Sequence, residues 1–205
     1  PNLDAITQGL RLGDNVVWQV DALADYARFA QLFVARALAD GMPCVYLRFA
    51  PHIPLLADHP LLEKVEIDPG SGFDVFSTQV HRLIEERGPR VAYVFDSLST
   101  LVQPWATDEL LANFFQVTCP YLYELETIAY FSLMRGSHPN DTVAKIAATT
   151  QVMIDVYHVG GRMYAHPIKA LGRYSPRMFI PHQVDEGAWA PIFEADRVAD
   201  QIGYA

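Results

Sequence analysis

Cysteine is scarce in this sequence, with two in 205 residues. Cys44 and Cys119 lie 75 positions apart in apolar surroundings. They form neither a disulfide framework nor a zinc motif, which fits a reducing cytoplasm. Basic charge is also short: 15 Lys and Arg face 24 Asp and Glu, a net charge of -9. A general electrostatic grip on nucleic acid or anionic lipid is not expected of such a chain. No stretch approaches the roughly 18 uncharged apolar residues of a spanning helix, so no membrane insertion is expected. Pro1–Gly9 lacks the basic and apolar pattern of a signal peptide, and the missing initiator Met suggests a trimmed or partial chain.

What is plentiful is apolar surface. Hydrophobic residues make up 51% of the chain and charged ones 19%, which excludes disorder. The length is a little more than one typical domain of ~100–150 residues. Apolar runs and helical periodicities alternate along most of it. Strands are expected at Asp14–Val20, Pro43–Phe49, Val65–Asp68, Arg90–Asp96 and Thr127–Met134. Helices are expected at Ala22–Asp40, Phe73–Arg87, Thr107–Leu125, where Pro120 should kink or break the helix, and His138–Thr149. The pattern then changes to strands alone, at Gln151–His158, Arg162–Ala170 and Met178–Val184, with Gly160-Gly161 as a hairpin turn. These elements define an α/β fold: a mainly parallel sheet, helices on both faces and an antiparallel β-rich C-terminal edge. The domain is expected to span 1–186, with 187–205 a tail or linker.

In such a sheet, ligands bind at the carboxyl ends of the strands. The first strand-to-helix turn, Val20–Asp25, has no glycine and no lysine, and carries Asp21 and Asp25. Backbone N–H groups cannot wrap a triphosphate there, and the two carboxylates would repel it. They read as ordinary helix N-terminal acids with Asp at the cap. Arg90–Asp96 has the shape of a Walker B strand, an apolar run leading to a carboxylate that could hold Mg²⁺ or cap the following turn through Ser97 and Ser99. No GxSxG motif surrounds Ser97 or Ser99, which speaks against nucleophilic hydrolase chemistry. His52, His59 and His138 read as loop residues, without metal-ligand spacing. No carboxylate occurs between Asp155 and Asp185, a span that holds Arg162, Lys169, Arg173, Arg177, His158, His166 and His182. This basic strip is expected to take an anion, to pair with carboxylates such as Asp21, Asp25 and Asp96, or to be a solvated edge hairpin. Strand alternation puts Arg162, Tyr164, His166 and Ile168 on one face, with Met163, Ala165, Pro167 and Lys169 on the other.

Several segments resemble RecA/KaiC-type ATPase domains of the P-loop NTPase fold. Leu3–Val17 is similar to their entry into the first core strand, Asp96-Ser-Leu-Ser99 to their Walker B segment, and Gly161–Pro176 to the late KaiC hairpin whose Lys and Arg reach toward nucleotide. A narrower resemblance, carried by GDNVVWQVD, YVFDSLS, NFFQVTCPYLYELETIAYF and RYSPRMFIPH, is to the KaiC-like region at the head of bacterial phosphoenolpyruvate synthase-like (PEP/pyruvate-binding) proteins. The resemblance implies a degenerate, non-catalytic regulatory, assembly or sensing domain without a Walker A loop. Its parent would be a pyruvate, water dikinase-like phosphotransferase, and its partners a second copy of itself and downstream phosphotransfer domains. Asp96, Lys169 and Arg173 are the implied nucleotide-side residues, with Asp96 also the metal residue. Two alternatives stand beside this: a divergent ATPase holding Mg²⁺ and ATP through Asp96 and the basic strip, and a pure oligomerisation module. The apolar tail residues Trp189, Ile192 and Phe193 suggest self-association.

Overall fold

The computed structural model describes residues 3–49, 52–102, 106–185 and 188–193. A short helix α1 (Leu3–Thr7) precedes β1 (Asn15–Val20), α2 (Leu23–Ala39), β2 (Cys44–Arg48) and β3 (Leu62–Glu66). Then come α3 (Phe73–Arg87), β4 (Ala92–Ser97), α4 (Asp108–Glu124), β5 (Ile128–Met134) and α5 (Asn140–Thr149). Among the described residues four strands follow: β6 (Val152–Val159), β7 (Arg162–Ala170), β8 (His182–Val184) and β9 (Trp189–Pro191). The nine strands of the described residues share one sheet in the order β3-β2-β4-β5-β1-β6-β7-β8-β9. Pairing is parallel from β3 to β6 and antiparallel from β6 to β9.

Burial on both faces explains the near-continuous apolar strands. In β1, Val16, Trp18 and Val20 point to the layer of α1 and α2, where Trp18 stacks on Phe29 at 4.2 Å. Val17 points the other way, to the layer of α3, α4 and α5, where Phe95 stacks on Phe131 at 4.3 Å. Gly13 sets the entry to β1: its φ is +94°, and a Cβ there would meet the Tyr123 ring at 2.9 Å. Gly160 and Gly161, with φ of 57° and 74°, form the two-residue turn between β6 and β7. Cys44 and Cys119 are free and buried. Among the described residues, no helix is long and apolar enough to cross a membrane.

Several elements differ from the sequence expectation. Helix α4 runs through Pro120 without a break. Pro120 lies on the exposed face, as does Gln116, whose carbonyl loses its helical partner and can be met by water. Strand β3 starts at Leu62 and ends at Glu66, because Asp68 instead accepts the Gly70 N–H and opens a turn. Of the expected strand 178–184 only His182–Val184 pairs, since Phe179 has a positive φ of 68° and Pro181 lacks an N–H. Beyond the expected domain end, β9 pairs with β8 and buries Trp189 and Ile192 against the domain's own sheet. Those two side chains are therefore core and offer no interface, while Phe193 remains exposed. The rest of the expected tail, 194–205, lies outside the described residues.

Candidate functional site

The carboxyl ends of the parallel strands carry three side-chain clusters. In the first, only Asp21 and Ala22 separate β1 from α2. The N-cap is Ala22, with no side-chain cap, so neither aspartate plays the expected capping role. Asp21 instead meets Arg135 Nε at 2.8 Å. Arg135 also forks onto Asp155 at 2.6 and 3.1 Å and donates to the Val156 carbonyl. Asp25 Oδ1 lies 3.0 Å from His158 Nε2. One turn into α2, Tyr26 is fully buried, with its hydroxyl 2.8 Å from the Phe95 carbonyl and 2.9 Å from that of Tyr130. Its single proton is shared between two acceptors, which ties the start of α2 onto β4 and β5. Burial, and then the nearby charge of Asp96, raise its pKa well above 10.0. A two-residue link clamped in this way has no room for a phosphate cradle, and Asp21 and Asp25 have partners within the fold in Arg135 and His158.

The second cluster surrounds Asp96, which has no exposed surface. Its Oδ2 accepts the Tyr46 hydroxyl at 2.9 Å, and its Oδ1 accepts the Ser97 N–H at 2.7 Å. His52 Nε2 comes within 2.7 Å of Oδ1, off the line of a hydrogen bond, and Arg48 Nε stands 3.8 Å from Oδ2. Burial and the Asp96 charge push the Tyr46 pKa up. Tyr46 also accepts the Leu55 N–H at 3.0 Å, and Arg48 donates to the His52 carbonyl, so the 52–55 segment is fastened over the carboxylate. Asp96 thus has protein partners on both oxygens. Among the described residues, no group of three His, Cys, Asp or Glu side chains could hold a metal ion. These residues do not fit Mg·ATP as they stand. Sequence reasoning placed Asp96 at the strand end but missed Tyr46, Arg48 and His52, which sit on another strand and its loop and match no motif.

The third cluster joins Ser99, His138 and Asp108. Ser99 lies in a 3-10 turn after β4, His138 just before α5, and Asp108 at the start of α4. Helix α5 begins at Asn140 rather than His138, which frees the imidazole to reach across. His138 Nε2 is 2.7 Å from Ser99 Oγ, and its Nδ1 is 2.6 Å from Asp108 Oδ1. This set carries no signal in sequence, because the three residues share no motif spacing.

The basic strip goes elsewhere. Lys169 Nζ donates to the carbonyls of Ala147 and Ala148 at 2.5 and 3.1 Å, at the end of α5. Arg173 pairs with Asp14, which precedes β1. Both therefore sit toward the amino-terminal edge of the parallel strands, opposite Asp96, and the chain does not bring Asp96, Lys169 and Arg173 together. The carboxylate partner of Arg173 is Asp14, rather than Asp21, Asp25 or Asp96. The expected alternation also fails at Ile168: Met153 pairs with Lys169 but Ile154 pairs with Pro167. This irregularity turns Lys169 toward α5, while Ala165 packs in the α2 layer. No protein-family model matches the chain, and no curated protein matches it significantly.

Proposed function

We propose that the chain is a KaiC/RecA-like domain that has given up nucleotide chemistry and serves as a regulatory, assembly or sensing module of a phosphoenolpyruvate synthase-like protein. The observation that carries this reading is the two-residue link between β1 and α2, with Tyr26 bonded across β4 and β5 behind it. A central parallel β1, Asp96 at the end of β4 and a late β6–β7 hairpin support the kinship part of the reading. Without a cradle, a triphosphate loses several charge-assisted hydrogen bonds, each worth ~1.5–3 kcal/mol. Exposed Leu171, Tyr174 and Phe179, on the segment between β7 and β8, supply apolar surface for a second copy or a downstream phosphotransfer domain.

Titration calorimetry with Mg·ATP at neutral pH tests the central claim. No binding in the micromolar range is expected. Micromolar affinity that disappears in Asp96→Ala would overturn the proposal in favour of a divergent ATPase. Light scattering at high protein concentration tests the assembly role, which a strictly monomeric mass would remove.

A further inference from the structure

The Ser99–His138–Asp108 set has a chemistry that the nucleotide reading neither uses nor explains. A carboxylate only accepts hydrogen bonds, so the 2.6 Å contact to Asp108 places the proton of neutral His138 on Nδ1. Nε2 is then an acceptor, and the hydroxyl of Ser99, 2.7 Å away, donates to it. Ser99 Oγ accepts one further bond, from the Met134 N–H at 3.0 Å, which leaves one lone pair free. The His138 side chain has no exposed surface, so water does not compete for the imidazole, whereas Ser99 itself is partly exposed. Asp108 is held by its place in the first turn of α4, whose N-cap Thr107 accepts the Leu110 N–H at 3.2 Å. A hydroxyl bonded to a neutral imidazole that is oriented by a carboxylate is the arrangement that activates a serine for nucleophilic catalysis.

We propose that Ser99 is a nucleophile that takes the acyl group of small, uncharged carboxylic esters, with His138 as its base and Asp108 as the positioning residue. In the first step Ser99 Oγ bonds to the ester carbonyl carbon, and its proton passes to His138 Nε2. Collapse of the tetrahedral adduct breaks the bond to the alcohol oxygen, which leaves with the proton from His138. Water then attacks the acyl-serine and gives its proton to His138, which returns it to Ser99 Oγ as the carboxylic acid departs. The net reaction is ester plus water to acid plus alcohol. Electrostatics select an uncharged acyl donor over an anionic phosphoryl donor, because the Asp108 carboxylate stands behind His138 and the chain carries a net charge of -9. The inference is independent of whether the domain descends from a nucleotide-binding one.

The test treats the full chain with a fluorophosphonate reagent and, separately, with p-nitrophenyl acetate, then locates adducts by mass spectrometry. One adduct at Ser99 is expected, with the exposed Ser71 unmodified under the same conditions. Removing the base should slow labelling by at least ~100-fold in His138→Gln, with a comparable loss in Asp108→Asn. Release of p-nitrophenolate should vanish in Ser99→Ala. Absence of a Ser99 adduct on the folded wild-type chain overturns the proposal, and that reading depends on no variant. Labelling of Ser71 as fast as Ser99 also overturns it, as does an unchanged rate in a His138→Gln protein whose melting matches wild type.

Discussion

Arg173 Nη2 sits 2.6 and 2.5 Å from the two oxygens of Asp14, with 1% and 4% of the two side chains exposed. The pair joins the segment after β7 to the residue before β1, 159 positions apart in sequence. Desolvation offsets much of the attraction between buried ions, but removing one partner strands the other charge. Asp14 also accepts the Arg11 N–H at 2.6 Å, so its loss frees a second donor. Asp14→Asn is expected to cost about 3–5 kcal/mol in denaturant unfolding. The double change Asp14→Leu with Arg173→Met should cost less than the sum of its parts. Strict additivity in that cycle would refute the coupling.

Asp21 and Arg173 lie at opposite edges of the sheet and share no partner. The cycle of Asp21→Asn with Arg173→Gln is therefore expected to be additive within about 0.5 kcal/mol. Arg135 and Asp155, joined by two hydrogen bonds at 2.6 and 3.1 Å, should couple above that threshold in the cycle of Asp155→Asn with Arg135→Gln. Denaturant melts of the six single and double variants decide both points. Coupling of the first pair and independence of the second would reverse the assignment of partners.

The parallel part of the sheet was legible because its signals are local. Apolar runs such as Val91–Phe95 and helical periodicities such as those of α2 and α3 are set by burial on both faces of one sheet. The Gly160-Gly161 turn was legible for the same reason. Short elements were less so: α1 and β9 have five and three residues, less than a pattern needs to repeat, and of the expected strand 178–184 only the three residues of β8 pair. The site was legible only where a single strand carries it. Asp96 follows its own apolar run, but Tyr46 lies 50 positions upstream. His138 reaches Ser99 across 39 positions of intervening fold, and Asp108 reaches His138 across 30. The acid-free strip was a real feature of composition. Its use depended on the irregularity at Ile168 and on Asp14, neither of which strand alternation can foresee.

Alkaline pH should unfold this domain steeply. Burial raises the pKa values of Tyr26, Tyr46, Tyr93, Tyr130 and Tyr157 above their ordinary 10.0, and pushes Cys44 up from 9.0 to about 11. These groups stay neutral in the fold while the unfolded chain ionises first. Their contribution is therefore intact below about pH 9–10 and is lost as pH rises above it, by up to ~1.4 kcal/mol per pH unit for each group. Tyr26→Phe should cost about 1 kcal/mol at neutral pH, through loss of the hydroxyl shared by the Phe95 and Tyr130 carbonyls. The same variant should flatten the alkaline slope, and urea melts between pH 8 and pH 11 measure both effects. A slope identical to wild type would show that Tyr26 is not one of the groups responsible.

The acid limb has a different origin at the far end of the sheet. His182 has no exposed surface; it pairs with Ala165 of β7 and Pro191 of β9, with its ring 6.1 Å from that of Trp189. Burial lowers its pKa from 6.5 to about 4, and the positive charge of nearby His166 and Arg177 acts in the same direction, while the Ile180 carbonyl opposes it. A depressed folded pKa means that the neutral imidazole is the form the fold holds. The unfolded chain takes up the proton first as pH falls. The stability from this group is therefore present above pH 6.5 and is lost as pH falls toward about 4. His182→Leu keeps the apolar contacts and cannot charge. It should change stability little at pH 7.5 and lose less than wild type on going to pH 4.5. Urea melts at the two pH values, with hydrogen exchange of the β8–β9 amides as the local reading, measure the difference. Equal losses in the two proteins would show that the acid limb arises from carboxylates elsewhere in the fold.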